Sequence, residues 1–246
     1  MAKFKDRTGE MNYNNYGSKM IIIKYKNKRN IIVEFENGYV VTAQYTQFKK
    51  GTIKNPYDRT VYRVGYLGVG NHNVMCDKKH SHKYKVWHSM LQRCYDEKFH
   101  ERYPTYRGCK VAEEWHNFQV FGDWYDENYY KIDKETTNLD KDIIIKGNKL
   151  YSPETCVFVP QSINKLFTKT NKLRGHLPIG VSKHGDKYRA RIDDEHLGLF
   201  NTSEEAFIAY KQCKELIIKD LANEHLGKIP MKLYYAMIAY DVEIDD

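Results

Sequence analysis

Apolar and polar positions alternate over Asn30–Glu36: Ile31, Val33 and Phe35 share one face, Ile32, Glu34 and Glu36 the other. Period two of this kind marks a half-buried strand. Met20–Tyr25 precedes it as a second apolar run, and Tyr39–Tyr45 returns after Asn37-Gly38, a strong hairpin signal. Gly51, Asn55 and Pro56 punctuate the exit. The pattern predicts a small basic β module over 1–66, barrel-like or a curled sheet, behind a flexible stretch at 1–12. The period then becomes helical. Trp87, Met90, Leu91 and Cys94 line one face of a predicted helix at 84–95. Trp115, Phe118, Phe121 and Trp124 line one at 113–125, so all three tryptophans fall in these two helices and are expected in a core. The Gly- and His-bearing stretch 66–82 reads as a linker, and 103–109 as a turn. Leu139–Ile145 reads as a strand, Lys146-Gly147-Asn148 as its turn, and Leu150–Val159 as a run toward a helix at 161–167.

The last third has the sharpest pattern. Ile179–Ser182, Lys187–Ile192 and His196–Phe200 read as three strands, with turns at Gly185-Asp186 and at 193–195. Thr202 with Glu205 three positions on forms a capping box. It opens a helix over 203–223 with Ala206, Tyr210, Cys213, Ile217 and Leu221 as its apolar stripe. In the middle strand, alternation sends Tyr188, Ala190 and Ile192 toward that helix and Lys187, Arg189 and Arg191 to the opposite face. The fold class is α+β in three pieces: a β module (1–66), a central α+β unit (67–171), and a three-stranded sheet on one helix (172–246, with a C-terminal tail).

Charge makes these faces chemically specific. The chain carries 40 Lys+Arg against 32 Asp+Glu. Residues 1–64 hold 13 basic and 5 acidic side chains, a net of +8, including Lys24, Lys26, Lys28, Arg29, Lys49, Lys50 and Lys54. Residues 172–191 hold six basic side chains and one acid. Two basic regions around a near-neutral middle fit a polyanion held at two places, and double-stranded DNA is the expected partner. A major groove admits β-strands, and arginine reads guanine through two hydrogen bonds. No apolar run reaches the ~18 residues of a membrane span, and no secretory h-region is visible. The odd set Cys76, Cys94, Cys109, Cys156 and Cys213 lacks any CxxC pair. That points away from disulfides and toward a reducing compartment such as the cytoplasm. Cys94, Cys109 and Cys156 with His88 or His116 lack zinc-finger spacing, so zinc is not expected. A monomer is expected, and a host-protein partner has no motif to mark it.

Residues 179–223 resemble the APETALA2/ethylene-response-type DNA-binding domain. The matching segments are Ile-Gly-Val-Ser, Lys-Tyr-Arg-Ala-Arg-Ile and Leu-Gly-Leu-Phe-Asn-Thr-Ser-Glu-Glu-Ala-Phe-Ile-Ala-Tyr. The resemblance implies DNA contacts from Lys183, Lys187, Arg189 and Arg191. Residues 83–167 resemble phage-type HNH homing endonucleases. The residues that carry this are Trp87-x-x-Met90-x-x-Arg93-Cys94-Tyr95, Tyr106-x-Gly108-Cys109-x-Val111-x-x-x-Trp115-x-x-Phe118, Leu139-Asp-Lys-Asp142 and Tyr151-x-Pro153-Glu-Thr-Cys156. This resemblance implies metal-dependent phosphodiester hydrolysis by a phage or mobile-element DNA endonuclease.

The family's histidine base is missing, its Asn falls at Thr155 and its next Arg at Val157. Asp140 and Asp142, expected on one face of a strand, and Glu154 are the candidate catalytic residues and ligands for Mg²⁺ or another divalent cation. The general base stays open among Lys141, Tyr151 and a linker histidine. The alternatives are a catalytically inactive DNA-binding protein (a repressor or an inhibitor of a host enzyme) and a protein that meets a host defence factor through its tyrosine-rich surface.

Overall fold

A computed structural model describes residues 5–132, 134–167 and 176–244. Helices and antiparallel sheets both occur, so the chain is α+β. It divides into two compact units, 1–125 and 126–246. Of the expected boundaries, 66/67 lies inside the first unit and 171/172 falls outside the described residues. The helices expected at 84–95 and 113–125 fall in the first unit, and the strands at 137–160 and the helix expected at 161–167 fall in the second.

The first unit begins with an antiparallel meander: β1 (Met11–Tyr13), β2 (Lys19–Asn27), β3 (Asn30–Phe35) and β4 (Val40–Ala43). Met20, Ile22, Ile31, Val33, Phe35 and Ala43 form its buried face, as the alternation predicts. The sheet is open, with β1 and β4 as its edges, and does not close into a barrel. Tyr45 leaves the return strand and starts α1 (Tyr45–Lys50), which lays Tyr45 and Phe48 on the sheet's core. Gly51 ends α1 at φ +67. A Cβ there would stand 2.8 Å from the Tyr13 carbonyl, so only glycine fits this close approach. Residues 7–10, expected to be flexible, are pinned: the Arg7 guanidinium lies 4.3 Å from the Tyr45 ring centroid, and the Tyr45 hydroxyl donates to Glu10 at 2.9 Å.

The expected linker at 66–82 is docked as well. The Tyr66 amide donates to the His116 carbonyl (2.9 Å), and the Phe118 amide donates to that of Tyr66 (3.0 Å). The Gln119 side chain donates to the Leu67 and His72 carbonyls and accepts from the His72 amide. A small hairpin, β5 (Met75–Cys76) and β6 (Lys79–His80), leads to α2 (His82–Tyr95), capped by Ser81. Its buried residues are Trp87, Met90, Leu91 and Cys94, the predicted set. A further helix, α3 (Glu97–Arg102), is capped by Asp96 and is followed by β7 (Lys110–Val111). The helix expected at 113–125 is broken into a 3-10 turn (Glu113–His116) and α4 (Phe118–Asn128). Asn117 makes the break: it is extended, and its side chain accepts the Gln119 amide at 3.0 Å. Trp115, Phe118 and Phe121 remain fully buried, and the Trp87 indole donates to the Trp115 carbonyl at 2.7 Å.

In the second unit β8 (Thr137–Asp140) pairs antiparallel with β10 (Val157–Pro160), with β9 (Leu150–Tyr151) between them in sequence and α5 (Gln161–Leu166) after. A three-stranded antiparallel sheet follows: β11 (Val181–His184), β12 (Lys187–Ile192) and β13 (Glu195–Phe200). Helix α6 (Ser203–Glu224) starts at the predicted Thr202–Glu205 capping box, and α7 (Met231–Ile238) completes the unit. The buried stripe of α6 is Ala206, Tyr210, Ile218 and Ala222, with Cys213, Ile217 and Leu221 half-buried beside it. These pack with Val157, Val159, Ile163, Ile192, Leu233 and Met237 into one core. No helix among the described residues is long and apolar enough to cross a membrane.

Candidate nucleic-acid interface

The β11–β13 sheet has one covered and one open face. Ala190 and Ile192 of β12 are buried on the α6 side. By alternation Lys187, Arg189 and Arg191 face away from it. Directly opposite residues of an antiparallel pair point to the same side, so the register extends this face across the sheet. His184 lies opposite Lys187, Ser182 and Leu199 flank Arg189, and His196 lies opposite Arg191. Contacts agree with the register: the Arg189 Nε donates to the Ser182 hydroxyl at 3.3 Å. Lys183, expected on the cationic face, is opposite Tyr188 and so belongs to the other side. Its ammonium lies 4.4 Å from the Tyr188 ring centroid.

Arg191 is partly engaged by its own turn. It pairs with Asp194 at 2.8 Å and donates to the Asp193 carbonyl. Asp194 is fully exposed, so the pair contributes little stability. If DNA lies on this face, that charge opposes a phosphate approaching Arg191, and Asp194→Asn is expected to leave thermal stability unchanged and to tighten DNA binding about threefold at low salt. Fluorescence anisotropy at fixed ionic strength measures this, and weaker binding by the variant would contradict the placement of DNA on this face.

A second basic surface lies in the first unit. Lys24, Lys26, Lys28, Arg29, Lys49, Lys50 and Lys54 are all exposed there.

The candidate catalytic carboxylates lie in the second unit. The strand predicted through Ile145 ends at Asp140. The Asp140 carboxylate causes this: one oxygen accepts the amides of Asp142 (2.9 Å) and Ile143 (2.8 Å), which folds the chain out of the ladder. The two aspartates therefore do not share a strand face. Asp142 is exposed and pairs with Lys141 at 3.0 Å. Glu154 is exposed, and hydrogen bonding from Ser152 holds its carboxyl below the usual range. The Asn148 side chain closes the loop, donating to the Lys141 and Leu150 carbonyls at 2.7 Å.

Burial, and then the nearby Asp142 charge, raise the Asp140 carboxyl above the ordinary aspartate value. Among the described residues its second oxygen has no hydrogen-bond partner. Burial pushes the adjacent Cys156 thiol up to about 12. Among the described residues no group of three or more His, Cys, Asp or Glu is gathered to hold a metal ion.

Of the candidate bases, Lys141 is committed to Asp142, and Tyr151 is buried. His72, from the expected linker, sits in the first unit between Lys83 (2.9 Å) and Asp123 (2.9 Å). Sequence reasoning missed Lys232. It reaches from α7 to donate to the Cys156 carbonyl at 2.8 Å, and burial lowers its pKa. Only the packing of α7 brings it there, and no local motif announces it.

No family model, curated protein or solved structure matches the chain.

Proposed function

We propose that the protein binds double-stranded DNA and reads it with the open face of β11–β13. The observation that carries this reading is the row Lys187, Arg189, Arg191 on the side of the sheet that α6 leaves uncovered. A sheet of this width enters a major groove, where arginine pairs with guanine O6 and N7. The exposed lysines of the N-terminal module supply the sequence-independent part of the hold. The test is selection of the full-length chain on a randomised duplex pool, followed by affinity measurements at several salt concentrations. A selected sequence with a strongly salt-dependent affinity supports the reading. Equal affinity for selected and random duplexes rejects it.

A second reading adds hydrolysis of the bound strand, in the manner of the HNH endonucleases that residues 83–167 resemble. One observation favours it: Asp140, a half-buried carboxylate with a raised pKa and one unused oxygen, ends the first strand of a strand–loop–strand–helix segment. Incubating the protein with its selected duplex, with Mg²⁺ or with EDTA, and mapping the ends tests this separately from binding. Intact DNA under both conditions leaves a DNA-binding protein without cleavage.

A further inference from the structure

Charge does not account for every side chain on the open face of β11–β13. Leu199 is 44% exposed and stands directly opposite Arg189. Plain alternation would put Leu197 and Leu199 on one side of β13. A bulge separates them: Ala190 pairs with Gly198 while Arg191 pairs with His196, so Leu197 is the extra residue. Gly198 makes this possible at φ +142, a backbone conformation that other residues rarely adopt. Leu197 then packs against the core, and Phe200 falls opposite Tyr188 on the helix side. His196 and Leu199, three residues apart, are both left on the open face. A lone exposed leucine needs no explanation. This one is aimed by a bulge and a glycine into the middle of a cationic row.

We infer that Leu199 is a thymine-reading contact: its side chain packs on the C5 methyl of a thymine in the major groove, beside the base pair that Arg189 reads. The inference rests on the DNA-reading proposal and makes it more specific. Residues directly opposite on a sheet are about 5 Å apart between Cβ atoms. Base pairs stack about 3.4 Å apart, so Arg189 and Leu199 reach the same or adjacent pairs. The thymine methyl lies in the major groove and is the apolar feature a leucine can recognise there. The minor groove offers none. The selected sequence is therefore expected to hold a G·C pair at or next to an A·T pair whose thymine methyl faces β13.

The test uses the selected duplex and the same duplex synthesised with deoxyuridine for each thymidine in turn, which removes one methyl and keeps the base pairing. Wild type is expected to lose about fourfold in affinity at one position, the worth of one buried methyl. Leu199→Ala is expected to bind both duplexes alike, and Leu199→Met to restore the difference. Leu199 is exposed, so these variants retain the fold, which circular dichroism checks. Equal binding of wild type to every substituted duplex, with selection for a sequence intact, overturns the Leu199 contact and leaves the DNA-reading proposal standing. A methyl effect that persists in Leu199→Ala assigns the contact elsewhere and also overturns it. If selection yields no preferred sequence, both the reading and this contact fail.

Discussion

Alanine at Arg189 is expected to weaken binding to the selected duplex by about 1–3 kcal/mol, with a much smaller loss on random DNA. Arg189 is at the centre of the open face, flanked by Ser182 on β11 and Leu199 on β13. The Ser182 hydroxyl accepts from its Nε at 3.3 Å, which restrains the guanidinium and leaves its two terminal nitrogens uninvolved in that bond. An arginine held in this way gives up less freedom on binding than an unsupported one. Arg189→Lys should not rescue, because a point ammonium cannot make the paired hydrogen bonds. The fold survives either change, since packing on this strand comes from Ala190 and Ile192 on the other side. Lys183→Ala is the internal control. Its ammonium lies over the Tyr188 ring on the opposite face, so selected binding should barely change. Titrations at fixed salt decide the matter. Equal losses for Arg189→Ala on selected and random duplexes would make the arginine a phosphate clamp and remove it as a base reader.

The contrast between Lys183 and Arg189 shows where sequence alone was sufficient. The period-two pattern of Lys187–Ile192 placed each residue of β12 on its proper face, because one side of the strand is packed and any slip would bury cations. Neighbouring strands depend on register, which a single sequence does not state. Lys183 therefore could not be assigned a face until Tyr188 was seen opposite it. The bulge at Gly198 is similarly invisible, since nothing in Leu197-Gly198-Leu199 distinguishes a re-aimed leucine from a regular one. Capping chemistry was legible at Thr202–Glu205, where an apolar helix follows directly. It was not legible at Asn117, where the apolar period runs unbroken through Trp115, Phe118 and Phe121 while the backbone changes from 3-10 to α across the asparagine. The docking of 66–72 depends on partners distant in sequence, the His116 and Phe118 backbone and the Gln119 side chain, and composition alone made that glycine-rich stretch look like a tether. Asp140 misled for a related reason. Its short side chain competes with the strand ladder for backbone amides and wins, so the apolar run Ile143–Ile145 follows a turn and does not extend β8.

That same carboxylate gives the largest expected effect on chemistry. If the protein cuts DNA, Asp140→Asn is expected to abolish cleavage while leaving DNA affinity equal or higher, because one negative charge near the phosphates is lost. The substitution is close to isosteric, and an asparagine side-chain oxygen accepts the Asp142 and Ile143 amides as the carboxylate does. The loop and the β8–β10 pair should persist, so lost cleavage would not reflect lost structure. Stability offers an independent check. Burial and Asp142 raise the folded-state pKa above the ordinary 3.8, so the folded chain holds this proton more tightly than the unfolded chain. As pH rises from 3.8 through the raised value, the unfolded state gives up its proton first, and wild-type stability falls across that interval before levelling. Asparagine has no proton to lose. The melting temperature of Asp140→Asn relative to wild type should therefore climb through the same interval and remain higher at neutral pH. Equal melting curves at all pH values would show that the carboxylate is not strained by its surroundings. Cleavage by Asp140→Asn at the wild-type rate, on the same selected duplex with Mg²⁺, would remove Asp140 from the reaction.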